Sequence, residues 1–381
     1  MKSRDAALDG IRAFAALGVW LLHVGSNTGV MYREGMYAWM MSRLGIAVPI
    51  FFLLSGLLLY RPWARAVIED TPRPKPLRYL WRRVMRVMPV YWIVTGLALW
   101  AWSSLDWLGW AKWMLLLQNF FPGDPPADGL YQMWTLPIEM SFYVLLPVLA
   151  WALHRWARGG NRPVRLLAGI AVLSVVSVAS VVVARLFEQP QVALWLPYHL
   201  VFFACGMAMA VLSVWIGHSR IVDALAPQLL VSALLLYALL STDLAGPRTL
   251  TLPTMQQSLL RVSLEAAVAM LVVAPFALAP NPGSLRHRFL GNPVTAYLGR
   301  ISYSFFLWHA PVITLQLKLT GAQPFQADFP SVAIVSFVVT ILLSVASYHL
   351  VEVTALKLTA RRSAPARPPD AQAPAPVAPL A

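Results

Sequence analysis

The chain has little of what a secreted or soluble protein uses to hold itself together. Cys205 is the single cysteine among 381 residues, so the sequence excludes a disulfide framework and a thiolate-based metal site, and no metal is expected. Charged residues make up only 12% of the chain against 59% hydrophobic residues, and the mean hydropathy is +0.63. Because no soluble domain of this size could hide so much apolar surface, the composition predicts an all-α polytopic membrane protein.

Acidic residues are also scarce, with 16 Asp and Glu against 30 Lys and Arg. The resulting net charge of +14 could suggest nucleic-acid binding, but the basic residues sort by loop instead. The apolar runs long enough to span a bilayer are 8–26, 44–61, 87–104, 133–153, 166–187, 194–215, 228–243, 257–280, 297–317 and 330–352. Loops on one side of these runs hold twenty-one Lys and Arg, and the alternate loops hold five. This bias predicts a bundle of about ten transmembrane helices with both termini cytoplasmic.

Two other segments are not expected to span. Residues 108–121 are apolar but short, so we expect a re-entrant or interfacial position on the outer side. Residues 358–381 are rich in Ala and Pro and cannot bury a core, which predicts a disordered cytoplasmic tail after a single membrane domain at 1–357. The first apolar run is interrupted by ionisable residues and has no convincing cleavage site near Gly25, so we expect a retained helix there.

Three ionisable residues stand in that first run. Arg12 and His23 are eleven residues apart, almost three helical turns, which puts them on one face about 16 Å apart along the axis. Asp9 precedes Arg12 by three residues and shares the face. Ionisable groups inside a membrane span are costly and rare, so this stripe is predicted to be functional.

Glu139 and His23 are expected at nearly the same depth in the membrane. His23 lies about 15 residues into a span that runs outward, and Glu139 about six residues into a span that runs inward. A carboxylate that orients an imidazole makes a general base, and we favour this over two separately satisfied groups. His309 should lie slightly deeper than His23, either as a second site residue or as a helix-packing donor.

Several polar residues have simpler interpretations. Ser302 and Tyr303 are expected to pack and to form hydrogen bonds, and Ser55, which precedes a glycine, is expected at a close helix contact more than as a nucleophile. Arg261 and Glu265, four residues apart on one helix, should neutralise each other as a structural pair.

Arginines also crowd the cytoplasmic end of the third span. Arg82, Arg83 and Arg86 run into the span, and with Arg12 and Arg300 they could converge on a polyanion, since guanidinium groups suit phosphates. The alternative is the ordinary excess of cytoplasmic positive charge, and we adopt it for the other cations of this loop. Those cations are Arg65, Arg73, Lys75 and Arg78.

Six segments, in this order, resemble the integral-membrane acyltransferase family 3, which includes O-antigen and other surface-polysaccharide O-acetyltransferases. They are LDGIRAFAALGVWLLH, FFLLSGLLL, RRVMRVMPVYW, MWTLPIEMSFYVLLP, LGRISYSFFLWHAPV and YHLVE, spread over residues 4–355. The resemblance implies a multi-pass enzyme of the bacterial inner or plasma membrane. It would move an acyl group, commonly acetyl, from cytoplasmic acyl-CoA to a hydroxyl of an extracytoplasmic glycan or glycolipid, with no further cofactor.

The resemblance also implies roles for single residues. His23 would be catalytic, Arg12 would help to hold the donor, and the arginine motif of the third span would bind CoA. Glu139 matches the acidic residue of the fourth-span motif, although Pro137 and Met140 beside it differ from many family members. The soluble hydrolase-like domain that some members carry is not seen in this sequence.

Two mechanisms and two other functions stay open. His23 could act as a general base, or it could carry the acyl group as an acyl-histidine intermediate. A transporter or flippase for an anionic or lipid-linked substrate would also use intramembrane His, Glu and Arg, but it would favour internal repeats, which are not evident here. Acylation of a small molecule on the cytoplasmic side would instead bring the acceptor close to Arg12.

Overall fold

The computed structural model describes residues 5–121, 127–248, 251–323 and 325–361. These residues form helices and connecting turns, and no β-strand occurs among them. The α-helices are α1 (Ala6–Asn27), α2 (Met36–Ser42), α3 (Ala47–Ile68), α4 (Pro76–Trp102), α5 (Trp107–Met114), α6 (Thr135–Trp156), α7 (Arg162–Leu186), α8 (Leu196–Trp215), α9 (Arg220–Ala224), α10 (Ala226–Leu240), α11 (Met255–Ala277), α12 (Leu285–Leu290), α13 (Pro293–Thr320), α14 (Phe329–Ser347) and α15 (Val353–Arg361). A π-helical turn at Tyr348–Glu352 joins the last two. The all-α prediction is confirmed for the described residues.

Eight helical segments of the described residues are long and apolar enough to cross a membrane, which indicates a multi-pass membrane protein. The two other predicted runs are also helical: 228–243 falls mostly on α10, which has 15 residues, and 297–317 on α13, which has 28. The segment 108–121 contains only the eight-residue α5 and so forms no span. Of the predicted tail, residues 358–361 belong to α15, and residues 362–381 lie outside the described residues.

Side chains at the helix starts explain several of these bounds. The Asp5 carboxylate accepts hydrogen bonds from the backbone N–H groups of Ala7 and Leu8 and so caps α1. Asn292 caps α13 in the same way, ahead of a proline at the first helical position. Thr254 and Gln257 form a reciprocal capping box at the start of α11.

Glycines let two pairs of helices approach closely enough to position the site. A Cβ on Gly299 of α13 would lie 1.9 Å from the backbone oxygen of Asp9 on α1. A Cβ on Gly56 of α3 would lie 2.2 Å from the backbone oxygen of Phe203 on α8, and one on Gly206 would lie 2.0 Å from that of Leu53. Such contacts require glycine, and small residues at helix interfaces are typical of membrane bundles.

The packed core lies among α3, α4, α6 and α8, where the largest fully buried side chains include Tyr60, Tyr91, Phe142 and Phe203. The periphery is apolar instead of charged. Only 22% of the most apolar stretch of α7, and of the segment Phe329–Thr359 that begins with α14, is buried inside the protein. Their exposed apolar faces are suited to lipid, while residues of α1, α3, α4, α6, α8, α11 and α13, with Arg185 of α7, surround the polar interior.

Candidate active site

His23 lies on α1 against two aromatic rings. Its ring centroid is 4.6 Å from that of Tyr131 and 5.3 Å from that of His309, with which it stacks at an interplanar angle of 24°. Asn27, one turn further along α1, donates through Nδ2 to the His23 backbone oxygen (2.8 Å) and to the Tyr131 hydroxyl (3.4 Å). The close packing of α1 on α13 therefore brings the two histidine rings together, and the role of His309 as a second site residue or as a packing residue stays a prediction.

His309 is fully buried. Its Nδ1 lies 3.3 Å from the backbone oxygen of Phe305, and its Nε2 has no hydrogen-bond partner among the described residues. If Nδ1 carries the proton, Nε2 presents a free lone pair next to the His23 ring.

Glu139 lies on α6 in a separate hydrogen-bond cluster. Its Oε1 accepts from the Ser55 hydroxyl (2.6 Å) and from the Tyr143 hydroxyl (2.5 Å). The predicted contact between Glu139 and His23 is not formed, because the two side chains line different cavities. Ser55 was expected only at a close helix contact; Gly56 beside it makes that contact, while the Ser55 hydroxyl turns to the carboxylate.

Three cavities follow one another through the bundle. The basic cavity, about 480 Å³, lies where α3 ends and α4 begins, and its charged wall is formed by Arg73, Lys75, Arg78, Arg82 and Arg83. The central cavity, about 250 Å³, contains Glu139, Tyr143, Arg12, Arg83 and Arg86. The histidine cavity, about 280 Å³, contains His23 and lies towards the end of α1 and the starts of α8 and α11.

Shared walls connect the cavities in this order. Leu58, Leu59 and Arg83 line both the basic and the central cavity. Val48, Thr135 and Phe306 line both the central and the histidine cavity. The interior is thus a row of three compartments with a basic group at one end and an imidazole at the other.

Arg83 occupies the junction of the two cationic compartments. Its Nε is buried and has no hydrogen-bond partner among the described residues, and the side chain interacts electrostatically with Glu139 and Tyr143. A buried donor without a partner is unusual in a native protein, so Arg83 keeps hydrogen-bonding capacity that the described residues do not use. Arg12 also faces the central cavity, 3.8 Å from the buried Asp9 carboxylate.

The remaining predicted residues lie near these compartments with differing contacts. Tyr303 and Ser302 line the central cavity, and the Tyr303 hydroxyl donates to the backbone oxygen of Val87 (2.7 Å). Arg300 lies over the ring of Tyr297, with its guanidinium carbon 5.2 Å from the ring centroid, and lines none of the three cavities. The predicted pair of Arg261 and Glu265 is confirmed at 3.0 Å, but it lies on the wall of the histidine cavity.

The sequence profile of acyltransferase family 3, described as an acyltransferase domain, matches residues 5–349. The chain belongs to this family. The match covers α1 to the π-helical turn after α14, so all three cavities lie inside the acyltransferase domain. The resemblance seen in the six sequence motifs is thereby confirmed.

Relatives of the chain carry names that refer to different processes. The acyltransferase MdmB of Streptomyces mycarofaciens is 28% identical, over 96% of this chain and 95% of the relative. The putative peptidoglycan O-acetyltransferase YrhL of Bacillus subtilis is 25% identical over 91% of this chain, but the match spans only 54% of YrhL. The exopolysaccharide production protein ExoZ of Rhizobium meliloti is 25% identical over 87% of this chain and 93% of ExoZ. No solved structure matches the chain.

Sequence reasoning missed several residues around His23 in this acyltransferase family member. Tyr131 and Gln132 lie in the turns before α6, where no periodicity relates them to α1. Arg185 of α7 also lines the histidine cavity, although its place near a helix end suggests only a surface cation. Intramembrane charge is the one signal that would have indicated Arg185.

Proposed function

We propose that the protein is a membrane-bound O-acyltransferase that moves an acyl group from cytoplasmic acyl-CoA to a hydroxyl of an extracytoplasmic glycan or glycolipid. The observation that carries the proposal is the row of three compartments, which begins at a cluster of five cations and ends at His23. An extended donor with phosphates at one end and a thioester at the other fits this arrangement. The proposal includes ten spans, cytoplasmic termini and a bacterial inner or plasma membrane.

The basic cavity suits the nucleotide and phosphate end of the donor. Its five cations include Arg73, Lys75 and Arg78, for which the sequence favoured only the usual cytoplasmic charge excess. Guanidinium groups bind phosphates through paired, charge-assisted hydrogen bonds. Trp63 and Tyr79 lie in the same wall and offer apolar ring surface to a base.

The central cavity suits the pantetheine arm and the acyl group. Arg83 and Arg12 would hold the donor at its entrance, while Phe51, Phe52 and Phe306 line the apolar part. Glu139 acts from this donor side, since its carboxylate fixes the Ser55 and Tyr143 hydroxyls in the wall. An apolar compartment also protects a thioester from hydrolysis.

His23 would act as the general base on the acceptor side. It removes the proton of the acceptor hydroxyl, whose oxygen attacks the thioester carbonyl carbon. The carbon–sulfur bond then breaks, and the CoA thiolate leaves and receives the proton from the imidazolium. His309 and Tyr131 hold the ring in place for this step.

The test is acyl-CoA binding and CoA release by the purified full chain in lipid nanodiscs, with and without a glycan acceptor. We expect His23→Ala to abolish acceptor-dependent CoA release while acyl-CoA still binds. The matched control is His218→Ala, because His218 is a partly exposed histidine outside the three cavities. Wild-type protein that binds no acyl-CoA would contradict the proposal and favour the transporter alternative.

A further inference from the structure

The histidine cavity extends away from His23 into a polar wall that the proposed reaction does not use. Arg185 of α7 and Arg261 and Glu265 of α11 are the charged groups of this wall. None of these three side chains lines the central or the basic cavity, where the donor is proposed to bind. In the proposed reaction, this wall is therefore on the acceptor side of His23.

Two of the three charges cancel. Arg261 donates through Nε to Glu265 Oε1 at 3.0 Å, so this pair is close to neutral. The Arg261 side chain is 41% exposed.

Arg185 supplies the positive charge that is left over. Its Nε donates to the Ser258 hydroxyl at 2.9 Å, and no carboxylate of the described residues lies within ion-pair distance of its guanidinium. Arg185 lies in the last turn of α7 and also interacts with Tyr198. A guanidinium that lines a cavity without an acidic partner is suited to an anion that arrives with the ligand.

Gln132 adds an unsatisfied acceptor close to the catalytic side of the same cavity. Its Nε2 donates to the backbone oxygen of Leu307 at 3.1 Å, while its Oε1 is buried and has no partner among the described residues. A buried carbonyl oxygen of this kind requires a donor, and a sugar hydroxyl would supply one. Trp134 and Tyr198 line the cavity with ring surface that can pack on the apolar face of a sugar ring.

We propose that the histidine cavity is the acceptor subsite and that it takes a sugar residue bearing a carboxylate or a phosphate group. The anion would bind Arg185, a hydroxyl would donate to Gln132, and the hydroxyl to be acylated would face His23. This subsite rests on the proposed acyltransferase function, whose donor occupies the other compartments. Both kinds of anion share the chemistry that Arg185 recognises.

The experiment measures equilibrium binding of three probes to the full chain in nanodiscs by titration calorimetry. The probes are methyl β-D-glucuronide, methyl β-D-glucoside 6-phosphate and the neutral methyl β-D-glucoside. We expect at least one anionic probe to bind about tenfold to hundredfold more tightly than the neutral one, as for a hydrogen bond to a charged group. The tighter of the two anionic probes identifies the kind of acceptor.

Variants of Arg185 test its role directly. Arg185→Gln should reduce the preference to nearly one, Arg185→Lys should retain part of it, and the exposed Arg220→Gln should leave it unchanged. A wild-type protein that binds all three probes equally, or binds none, would overturn the subsite, as would a preference that persists in Arg185→Gln. Acyl-CoA binding in the same samples reports on the proposed function separately, because its loss would contradict the donor sites and leave the probe result intact.

Discussion

Replacing Gly299 by alanine should weaken acyl-CoA binding through the packing of α1 on α13. The new Cβ would lie 1.9 Å from the backbone oxygen of Asp9, whereas an ordinary contact begins at about 3.4 Å. The two helices would therefore have to separate by roughly 1.5 Å at this point, because a packed interior leaves little room for local adjustment.

The displacement would reach the central cavity, which is the proposed donor compartment. Arg12 is three residues from Asp9, Ser302 is three residues from Gly299, and both line the central cavity. A shift of this size takes a guanidinium out of hydrogen-bond distance of a phosphate, which costs about 1.5–3 kcal/mol, or roughly tenfold to hundredfold in Kd. Overpacking should also lower stability by about 1–3 kcal/mol.

The assay is the Kd for acetyl-CoA and the thermal midpoint of the variant in the same nanodiscs. Gly18→Ala is the matched control, since it lies on α1 and its Cβ would meet Ala47 Cβ at an ordinary 3.7 Å. The control should keep the wild-type Kd and gain up to about 1 kcal/mol from a stiffer unfolded chain. A Gly299→Ala protein with both wild-type Kd and wild-type midpoint would refute the reasoning.

Three further predictions concern the compartments and the ion pair between Arg286 and Asp223. Arg83→Met should raise the Kd for acetyl-CoA about tenfold or more by removing a charged donor, while Arg288→Met, outside the three cavities, should leave it unchanged. Phe306→Leu should raise the ratio of hexanoyl-CoA to acetyl-CoA turnover several-fold by widening the wall between the central and histidine cavities, and an unchanged ratio would contradict that role. The hydrogen bond from Arg286 holds the pKa of Asp223 below its usual value. The ionised carboxylate therefore stabilises the folded state above the unfolded pKa, and this stability is lost on acidification below about pH 4. The thermal midpoint of Asp223→Asn should not show this loss.

The sequence predicts the long helices well because they follow apolar runs, and side-chain caps mark the starts of several of them. Position along a helix is equally accessible, and Arg12 lies towards the start of α1 and His23 towards its end. The sequence predicts similar depths for Glu139 and His23, yet the two face different compartments, because the lateral position of α6 depends on packing that no local pattern encodes.

The composition of the cavities was still less accessible. Tyr131 and Gln132 come from irregular turns, whose path depends on the helices around them. Arg73 and Lys75 precede α4 and look like ordinary loop cations until the fold brings them around one cavity. The pairing of α1 with α13 likewise depends on Gly299, which a sequence shows only as one glycine among 21.

The wall formed by Val48, Thr135 and Phe306 bears on whether the bundle leaks protons across the membrane. A helix bundle with a row of polar cavities could hold a continuous chain of water molecules, and such a chain would conduct protons down their gradient. Phe306 is only 8% exposed and offers no hydrogen bond to water, so it interrupts such a file at one position. The proposed transfer of an acyl group past this wall would then leave the barrier to protons in place.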